Sequence, residues 1–361
     1  MKAYFVDKSD LAYNLELIRR TAGDAPVWAV LKGDGYGLGV EPMAVLCRQS
    51  GWYRFAVTEV REAAAIRNSG EGDMILMLRP TCDEEELKAL LGMDVICTVA
   101  SQQDAVVLAG VAADLGVRAK AHLKIDTGMG RYGFKPDELD EILACYDHLD
   151  AIEILGLYTH FACAFCDEKK TRQQAAALQA VAEAVTKAGH RPGEIHCCNS
   201  NGLFRYPELA AGGVRVGSAI VGRLGCKTEL KRIGCCRASL EEVRWLNKGE
   251  STGYGAGWRA KKPTKIAVLP VGWYHGYTVE YGDDLFRRRD SLRGIFKNLK
   301  NLLLPPKLTV RVGKNTCRVL GHVGMLHTVI DITGTELREG DLAEVPISPV
   351  LLRGMDVRFV E

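Results

Sequence analysis

A lysine within residues 29–39 (A-V-L-K-G-D-G-Y-G-L-G) is the first candidate for chemistry. Lys32 follows the apolar residues 28–31, which read as a buried strand. Burying a lysine as a cation is costly, so Lys32 either reaches water or has a lowered pKa. A lysine with a lowered pKa readily forms an imine. The same pattern is also compatible with a strand-end lysine that points into solvent ahead of a glycine-rich turn.

The residues after Lys32 indicate what kind of ligand it would meet. Four glycines and a tyrosine follow within seven positions. Glycines allow the backbone to approach a ligand closely, and the hydroxyl of Tyr36 can bond to an anionic group such as a phosphate. The segment therefore predicts a ligand site with an anionic group beside Lys32.

The elements that must position these residues form a regular alternation. Starting at Trp28, eight predicted strands alternate with predicted helices over about 190 residues. This alternation favours an α/β fold with a closed (β/α)8 TIM-type barrel over an open doubly wound sheet. Chemistry in such a barrel lies at the C-terminal ends of the strands. The unusual residues of the chain lie at those places: Lys32, residues 124–131, His160, Asn199, Ser200 and residues 215–218.

The pattern changes at about Cys235. Short stretches of alternating apolar residues lie between glycine-containing turns, which predicts a separate antiparallel β domain. The predicted domains are residues 1–234, the barrel, and residues 235–361, the β domain. A basic amphipathic insertion at about 284–307 interrupts the β domain, and such a segment is most often a solvated helix or a subunit contact.

Composition limits the possible partners. Lysine plus arginine total 47 against 45 acidic residues, so the charge gives no general attraction to nucleic acid or to acidic membranes. No apolar run approaches the roughly 18 residues of a membrane span. The cysteines are scattered, and residues 163–166 (C-A-F-C) have no second C-x-x-C, which favours reduced thiols over disulfides or zinc. We therefore expect a cytoplasmic protein without a metal, a nucleic-acid partner or a membrane partner.

Six stretches taken together resemble the alanine racemase family. They occur in the family's order and cover nearly the whole chain: residues 29–39, 122–134 (H-L-K-I-D-T-G-M-G-R-Y-G-F), 156–162 (G-L-Y-T-H-F-A), 198–201 (C-N-S-N), 214–218 (V-R-V-G-S) and 253–256 (G-Y-G-A). The resemblance implies an eight-stranded α/β barrel followed by a β domain, with pyridoxal 5′-phosphate as the cofactor.

The same resemblance implies the residues that hold the cofactor. Lys32 matches the lysine that binds it covalently, and Arg215 matches the arginine that faces the pyridine nitrogen. A permanent cation there weakens the cofactor as an electron sink, which limits side reactions. The phosphate-binding positions of the family are matched by Tyr36, Ser200, Gly217 and Ser218.

Racemisation removes a proton from one face of the substrate Cα and returns one on the other, so it requires two bases. Lys32 and Tyr254 match the residues that serve the two faces. A tyrosine with its ordinary pKa of ~10 needs help to act as a base near neutrality. By the resemblance that help comes from a hydrogen-bonded chain through His160 and Arg215.

Three further residues complete the implied site. Arg131 matches the arginine that bonds the phenolic oxygen of the cofactor and the substrate carboxylate. Lys124 matches a lysine that is often carbamylated to hold that arginine, and Met325 matches a substrate-binding position. In the family the catalytic tyrosine comes from the other subunit, so the resemblance implies a head-to-tail homodimer with shared sites for a small amino acid.

The β domain departs from the family pattern. His275 and Leu326 stand where acids are usual, and no tyrosine follows Tyr281. Because these departures surround the substrate entrance, alanine is the expected substrate, with serine, lysine or ornithine as alternatives. A decarboxylase of the same barrel class usually carries a glutamate where this chain has Arg215. A non-catalytic cofactor-binding protein would leave Tyr254 unexplained, although His275 and Leu326 favour it.

Overall fold

The computed structural model describes residues 1–147, 149–210, 212–280, 288–304 and 308–361. The chain forms two compact units. One is Asp7–Ile233 with Glu361, and the other combines Met1–Val6 with Gly234–Val360. The second unit thus includes the first residues of the chain, which the sequence-based bounds of 1–234 and 235–361 assigned to the barrel.

The unit Asp7–Ile233 is a barrel of parallel strands. Its strands form a five-stranded and a four-stranded sheet, which are bridged by the parallel pair Leu76 and Ile96. The seventh barrel strand is interrupted at Cys197. Its first part, Glu194–His196, belongs to the four-stranded sheet, and its second part, Cys198–Asn199, belongs to the five-stranded sheet. The ring of strands therefore closes, which confirms the predicted (β/α)8 barrel. The strands are Val27–Val30, Arg54–Val57, Met74–Met77, Cys97–Val99, Ala119–Lys124, Ile152–Tyr158, Glu194–His196 with Cys198–Asn199, and Val214–Val216.

Helices follow the strands and bury one apolar stripe each. In the first helix Leu11, Leu15 and Ile18 are buried, as their helical spacing predicts. That helix begins after Asp7. The Asp7 carboxylate accepts hydrogen bonds from the amides of Ser9 and Asp10, so Asp7 is the N-cap. The helices of the barrel unit are Lys8–Ala22, Val40–Gln49, Val60–Asn68, Glu84–Gly92, Gln102–Asp114, Leu139–Asp147, Glu168–Lys187 and Ser200–Arg205.

The backbone after the first barrel strand turns in the left-handed sense. Residues 33–36 have φ values of 63°, 54°, 61° and 58°. Glycine adopts this conformation readily, but each of Asp34 and Tyr36 costs about 1 kcal/mol or more there. Such a turn persists only where neighbouring groups hold it.

The second unit is built on a nine-stranded sheet. Its strands run antiparallel to their neighbours from Glu242–Leu246 to Lys2–Asp7. In spatial order they are Glu242–Leu246, Thr264–Leu269, Thr328–Asp331, Asn315–Leu320, Thr309–Val312, Leu342–Val345, Cys235–Ser239, Lys2–Asp7 and Val357–Val360. A separate two-stranded ribbon, Ser251–Thr252 with Trp258–Arg259, flanks Tyr254. The predicted antiparallel β domain is thereby confirmed.

The predicted insertion at 284–307 is described over residues 288–304, and its remaining residues lie outside the described part of the chain. Arg288–Leu303 is an α-helix. Among the described residues, none of the helices combines the length and the apolar character needed to cross a membrane.

Candidate active site

The carboxyl ends of the barrel strands surround a cavity of about 360 Å³. Most of the residues predicted for the site line it: Lys32, Tyr36, Lys124, Arg131, His160, Ser200, Arg215, Gly217 and Ser218. The cavity lies where a barrel of this kind places its chemistry. Tyr254 and Met325 belong to the second unit and line a different cavity.

Lys32 presents an amine that is not committed to a partner. Its side chain is solvent-accessible through the cavity, and Nζ makes no hydrogen bond or ion pair with any described residue. Partial burial lowers its pKa, and the positive charge of Arg131 lowers it further. A larger fraction of Lys32 is therefore a neutral nucleophile than for a surface lysine.

The left-handed turn after Lys32 is held by a buried carboxylate. Glu62, which is 3% exposed, accepts a hydrogen bond from the amide of Asp34 at 3.1 Å. Its other oxygen accepts from the amides of Thr58 at 2.9 Å and Glu59 at 3.1 Å. Asp34 in turn accepts from the amide of Val40 at 3.1 Å. Glu62 thus ties the turn to the second barrel strand.

Sequence reasoning missed Glu62. The signal that could have found it is a carboxylate on the buried face of a helix, since Ala63 and Ile66 are its buried neighbours in Val60–Asn68. Charged side chains are rarely buried unless they are fully hydrogen-bonded. A buried glutamate beside the Lys32 turn therefore indicates a structural or positioning role.

One end of the cavity is built to hold an anion. Ser200 Oγ accepts hydrogen bonds from the amides of Gly217 at 3.1 Å and Ala219 at 3.3 Å. Because these amides occupy both lone pairs of the oxygen, the O–H of Ser200 is left to donate elsewhere. The Tyr36 hydroxyl lies against Gly217, where a Cβ atom would be 2.2 Å from Tyr36 Oη. Burial raises the pKa of Tyr36 to about 12, so its hydroxyl keeps the proton and can donate it as well.

Arg215 is buried on the eighth barrel strand and is 4% exposed. Nη1 donates to Nδ1 of His196 at 2.7 Å and to the His196 carbonyl at 2.9 Å, and Nη2 donates to the Thr159 carbonyl at 2.5 Å. These contacts use three of the five N–H groups of a guanidinium. They fix the plane of the Arg215 guanidinium. The hydrogen-bonded chain from Arg215 through His160 to Tyr254 stays a prediction.

A second buried histidine lies behind His196. Nδ1 of His122 is 2.9 Å from Nε2 of His196, and burial, followed by the charge of Arg215, lowers the pKa of His122 to about 3. The ring of Tyr158 stacks on His196 at 5.0 Å, and Arg215 lies 4.9 Å from the Tyr158 ring centre. Sequence reasoning did not identify these three residues. Position in the strand could have indicated them: His122 and Lys124 are two residues apart on one strand, so both side chains face the barrel interior.

The other charged groups in the cavity are also cations. Burial, then the charges of Arg215 and Arg131, lowers the pKa of Lys124 to about 7. Lys124 makes no hydrogen bond with a described residue, and its Nζ lies 5.2 Å from the Tyr158 ring centre. Burial, then Arg215, lowers the pKa of His160 to about 3, so its ring is neutral at physiological pH. The lysines and arginines of the lining are Lys32, Arg79, Lys124, Arg131 and Arg215, of which Arg79 is paired with Glu86 at 2.9 Å.

The residues present fit pyridoxal phosphate. An amine without a partner suits the aldehyde of the cofactor, and the hydroxyl donors of Tyr36 and Ser200 suit its phosphate. The lining contains no carboxylate among the described residues, so the positive charge of the cavity favours an anionic ligand.

The second unit has its own cavity of about 590 Å³ around Tyr254. Tyr254 is 77% exposed, and Met325 and Leu326 line the same cavity. His275 is not among the lining residues. It is buried, its Nδ1 accepts from the Gly272 amide at 3.1 Å, and its Nε2 is 2.7 Å from Lys2 Nζ. His275 thus joins the N-terminal strand to the rest of the β unit.

Comparison with known proteins identifies the family. The family "Alanine racemase, N-terminal domain" matches residues 6–224, and "Alanine racemase, C-terminal domain" matches residues 235–348. The alanine racemase of Desulforamulus reducens is 31% identical over 347 residues, covering 93% of this chain and 85% of the relative. That of Treponema denticola is 30% identical over 334 residues, covering 90% and 81%.

Solved structures agree at the level of the fold. The alanine racemase of Clostridium difficile 630 superposes with a TM-score of 0.83 at 23% identity, covering 95% of this chain and 86% of that one. The alanine racemase of E. faecalis gives 0.83 at 23% identity, covering 99% and 98%. The two family models match both halves of the sequence, and the relatives are similar to this chain over most of their length. The chain therefore belongs to the alanine racemase family, whose enzymes are pyridoxal phosphate-dependent isomerases.

Proposed function

We propose that this protein interconverts L- and D-alanine, with Lys32 and Tyr254 acting on opposite faces of the substrate Cα. The observation that carries the proposal is the environment of Lys32. Its amine has no partner among the described residues and opens into a cavity whose ionised groups are all cations. The cavity has hydroxyl donors for a phosphate at one end and a buried guanidinium on its wall.

Five residues of the cavity have a proposed part in holding the cofactor. Tyr36, Ser200 and Ser218 would hold the phosphate, and Gly217, whose amide donates to Ser200 Oγ, would position that hydroxyl. Arg215 would face the ring nitrogen, since His196 and Thr159 fix its guanidinium in place. Pyridoxal phosphate, when bound, supplies the electron sink that makes the Cα proton of an amino acid removable.

The chain's own residues then move the protons. Lys32 accepts or returns the proton on one face, which its lowered pKa supports because a neutral amine is the basic form. Tyr254 serves the other face. His160 is held neutral by burial, so its ring can accept a hydrogen bond as well as donate one. Arg131 would bind the substrate carboxylate, and Met325 would contact it through its backbone amide.

We propose that Lys124 carries a carbamate. A lysine buried among cations is unfavourable as a cation, and its pKa of about 7 leaves a substantial neutral fraction. The amine attacks CO2, forming an N–C bond and releasing one proton, so the product is an anion. That anion would neutralise the buried site and hold Arg131.

We also propose a head-to-tail homodimer in which Tyr254 and Met325 of one subunit complete the barrel site of the other. The exposure of Tyr254, at 77%, supports this, since a large aromatic side chain at the wall of an open cavity is a typical contact for a partner. The scattered cysteines support a location in the reducing cytoplasm.

The test measures circular dichroism of L-alanine, L-serine, L-lysine and L-ornithine solutions incubated with the protein. We expect the alanine signal to decay to zero and the others to change little. Lys32→Ala should abolish the decay. Tyr254→Phe should also abolish it, yet in D2O it should still exchange the Cα proton of one alanine enantiomer, because one base remains.

Three results would contradict the proposal. Decay of a different amino acid would name another substrate. Full racemisation by Tyr254→Phe would remove that residue from catalysis. Loss of optical activity with release of CO2 and without formation of the D-enantiomer would indicate a decarboxylase instead, because decarboxylation also removes the stereocentre at Cα.

A further inference from the structure

The helix Arg288–Leu303 has an apolar face that the described residues leave open to solvent. Leu292, Ile295, Phe296 and Leu299 are 56%, 63%, 69% and 54% exposed. Three leucines at the C-terminal end of the segment are also exposed: Leu302 at 79%, Leu303 at 74% and Leu304 at 69%. Contiguous apolar surface of this kind marks a binding site.

The exposed residues form a single stripe. At 100° per residue, Leu292, Ile295, Phe296, Leu299 and Leu303 fall within an arc of about 100°. Three cations follow on one flank of the stripe, at about 80° to 140° from Leu292: Lys300, Arg293 and Lys297. The helix therefore has an apolar side, which Arg288 interrupts only at the N-terminal end, and an adjoining basic side.

The charge of the segment is strongly one-sided. Residues 288–304 contain five basic residues and one acidic residue. The described ion pair of Lys297 with Glu280 spans 3.6 Å between side chains that are 58% and 79% exposed. Such a surface pair is weak and leaves the charge available to a stronger partner.

The charge decides between possible occupants of the apolar stripe. A second copy of the helix would cover the leucines, but it would bring two strongly basic segments together. A nucleic acid would satisfy the cations and leave the stripe exposed. An anionic lipid surface satisfies both, because acyl chains take the apolar side and headgroups take the cations.

We propose that the helix Arg288–Leu303 lies flat on the surface of an anionic lipid bilayer. Its 16 residues extend about 24 Å and its polar side excludes it from crossing the hydrocarbon core. From the sequence we expect no membrane partner, because the total charge is nearly balanced and no apolar run is long enough to span a membrane. The proposal is independent of the catalytic activity.

The experiment sediments the full-length protein with vesicles of phosphatidylcholine, with or without phosphatidylserine. We expect binding to the anionic vesicles that weakens as salt is added. Replacing Arg293, Lys297 and Lys300 by glutamine should weaken it roughly 100-fold, as expected for three headgroup contacts. Replacing Ile295 and Phe296 by serine should abolish it even at low salt.

A charge-matched control separates this surface from net charge. Lys248, Lys261 and Lys262 are exposed on the same unit, and their replacement by glutamine changes the total charge equally. That variant should bind vesicles as the parent protein does. Thermal unfolding of each variant shows whether the fold is intact.

The proposal is overturned if the anionic vesicles do not bind the parent protein, or if the control variant loses as much binding as the helix variant. It is also overturned if the protein binds neutral vesicles equally well. Self-association that the serine substitutions abolish, without vesicle binding, would assign the stripe to a second copy of the chain.

Discussion

Arg215 donates a hydrogen bond from Nη1 to Nδ1 of His196 over 2.7 Å, and this bond sets the protonation of two histidines. Because Nδ1 of His196 accepts, the ring proton is on Nε2, which can donate to Nδ1 of His122 at 2.9 Å. Both rings are therefore neutral. Burial, then the charge of Arg215, lowers the pKa of each, to about 3 for His122.

These neutral histidines predict a loss of stability in mild acid. The folded pKa of His122 is about 3, below its ordinary value of 6.5, so between these values the unfolded chain binds more protons. The free energy of unfolding should therefore fall as the pH decreases from about 6.5 towards 3, by roughly 1.4 kcal/mol per pH unit from His122, and His196 contributes in the same direction. Urea unfolding at several pH values measures this slope.

His122→Gln should flatten the slope, because it removes one of the groups that titrate only on unfolding. His190→Gln provides the comparison, since His190 is paired with Asp147 near the surface. An unchanged slope in His122→Gln would contradict the assignment.

Gly217→Ala tests the phosphate end of the cavity. The new Cβ would be 2.2 Å from Tyr36 Oη, so the tyrosine must move away from the cavity. Loss of one charge-assisted hydrogen bond of about 1.5–3 kcal/mol should weaken retention of pyridoxal phosphate roughly 10- to 100-fold. Equilibrium dialysis of the cofactor measures it.

Gly225→Ala is the matched control for that substitution. Its Cβ would meet Asn201 Oδ1 at 3.6 Å and Phe165 Cβ at 3.7 Å, which are ordinary contacts. It should retain the cofactor as the parent protein does. Equal losses in both variants would show that Tyr36 does not bind the phosphate.

Glu62→Ala should release the left-handed turn at Asp34 and Tyr36. Three backbone amides lose their acceptor, which should destabilise the protein by roughly 2–4 kcal/mol. We also expect slower capture of pyridoxal phosphate by the apoprotein, followed by its visible absorbance, because Lys32 and Tyr36 lie at the two ends of the turn.

Two comparisons make the Glu62 prediction specific. Glu71→Ala removes an exposed carboxylate and should change neither property. A crystal structure of Glu62→Ala should show altered φ at Asp34 and Tyr36. Unaltered dihedrals with normal capture of the cofactor would exclude the positioning role.

Lys124 should react with CO2 in a pH-dependent manner. Its pKa of about 7 means that the neutral amine increases as the pH rises through that value, so carbamate should be more abundant at about pH 8 than at about pH 6. Incubation with 13C-labelled bicarbonate should give a carbamate resonance by NMR. The resonance should be absent in Lys124→Ala, and its persistence there would assign it to another amine.

The barrel and most of its cavity residues follow from local sequence. Short apolar runs predict the strands, and polar residues directly after them, such as Lys32, His160 and Ser200, must meet at one end of a closed barrel. The left-handed turn does not follow, because positive φ at Asp34 and Tyr36 is supported by the hydrogen bond that the Asp34 amide donates to Glu62. Glu62 is 28 residues further along the chain than Asp34, so the sequence of the turn itself does not show this bond.

Other missed features share this cause. The role of His196 depends on its contact with Arg215, which only the closed barrel brings about. Likewise, the strand Lys2–Asp7 pairs with Cys235–Ser239, so its sheet is defined by residues far away in the sequence. Pairing over such separations is set by the fold as a whole.

The strand Lys2–Asp7 lies between Cys235–Ser239 and Val357–Val360, so the two ends of the chain are neighbours in one sheet. The amide of Tyr4 donates to the carbonyl of Asp356 at 2.9 Å, and Lys8 pairs with Glu361 at 2.7 Å. On the ribosome, Lys2–Asp7 is synthesised about 350 residues before Val357–Val360, so their sheet is completed only after both have been made. Because Tyr4 lies beside Asp356 and Lys8 lies beside Glu361, the two strands run in the same direction, and a linker from Glu361 back to Met1 would span about 23 Å. Circular permutation with a linker of that length would let every strand keep its neighbours.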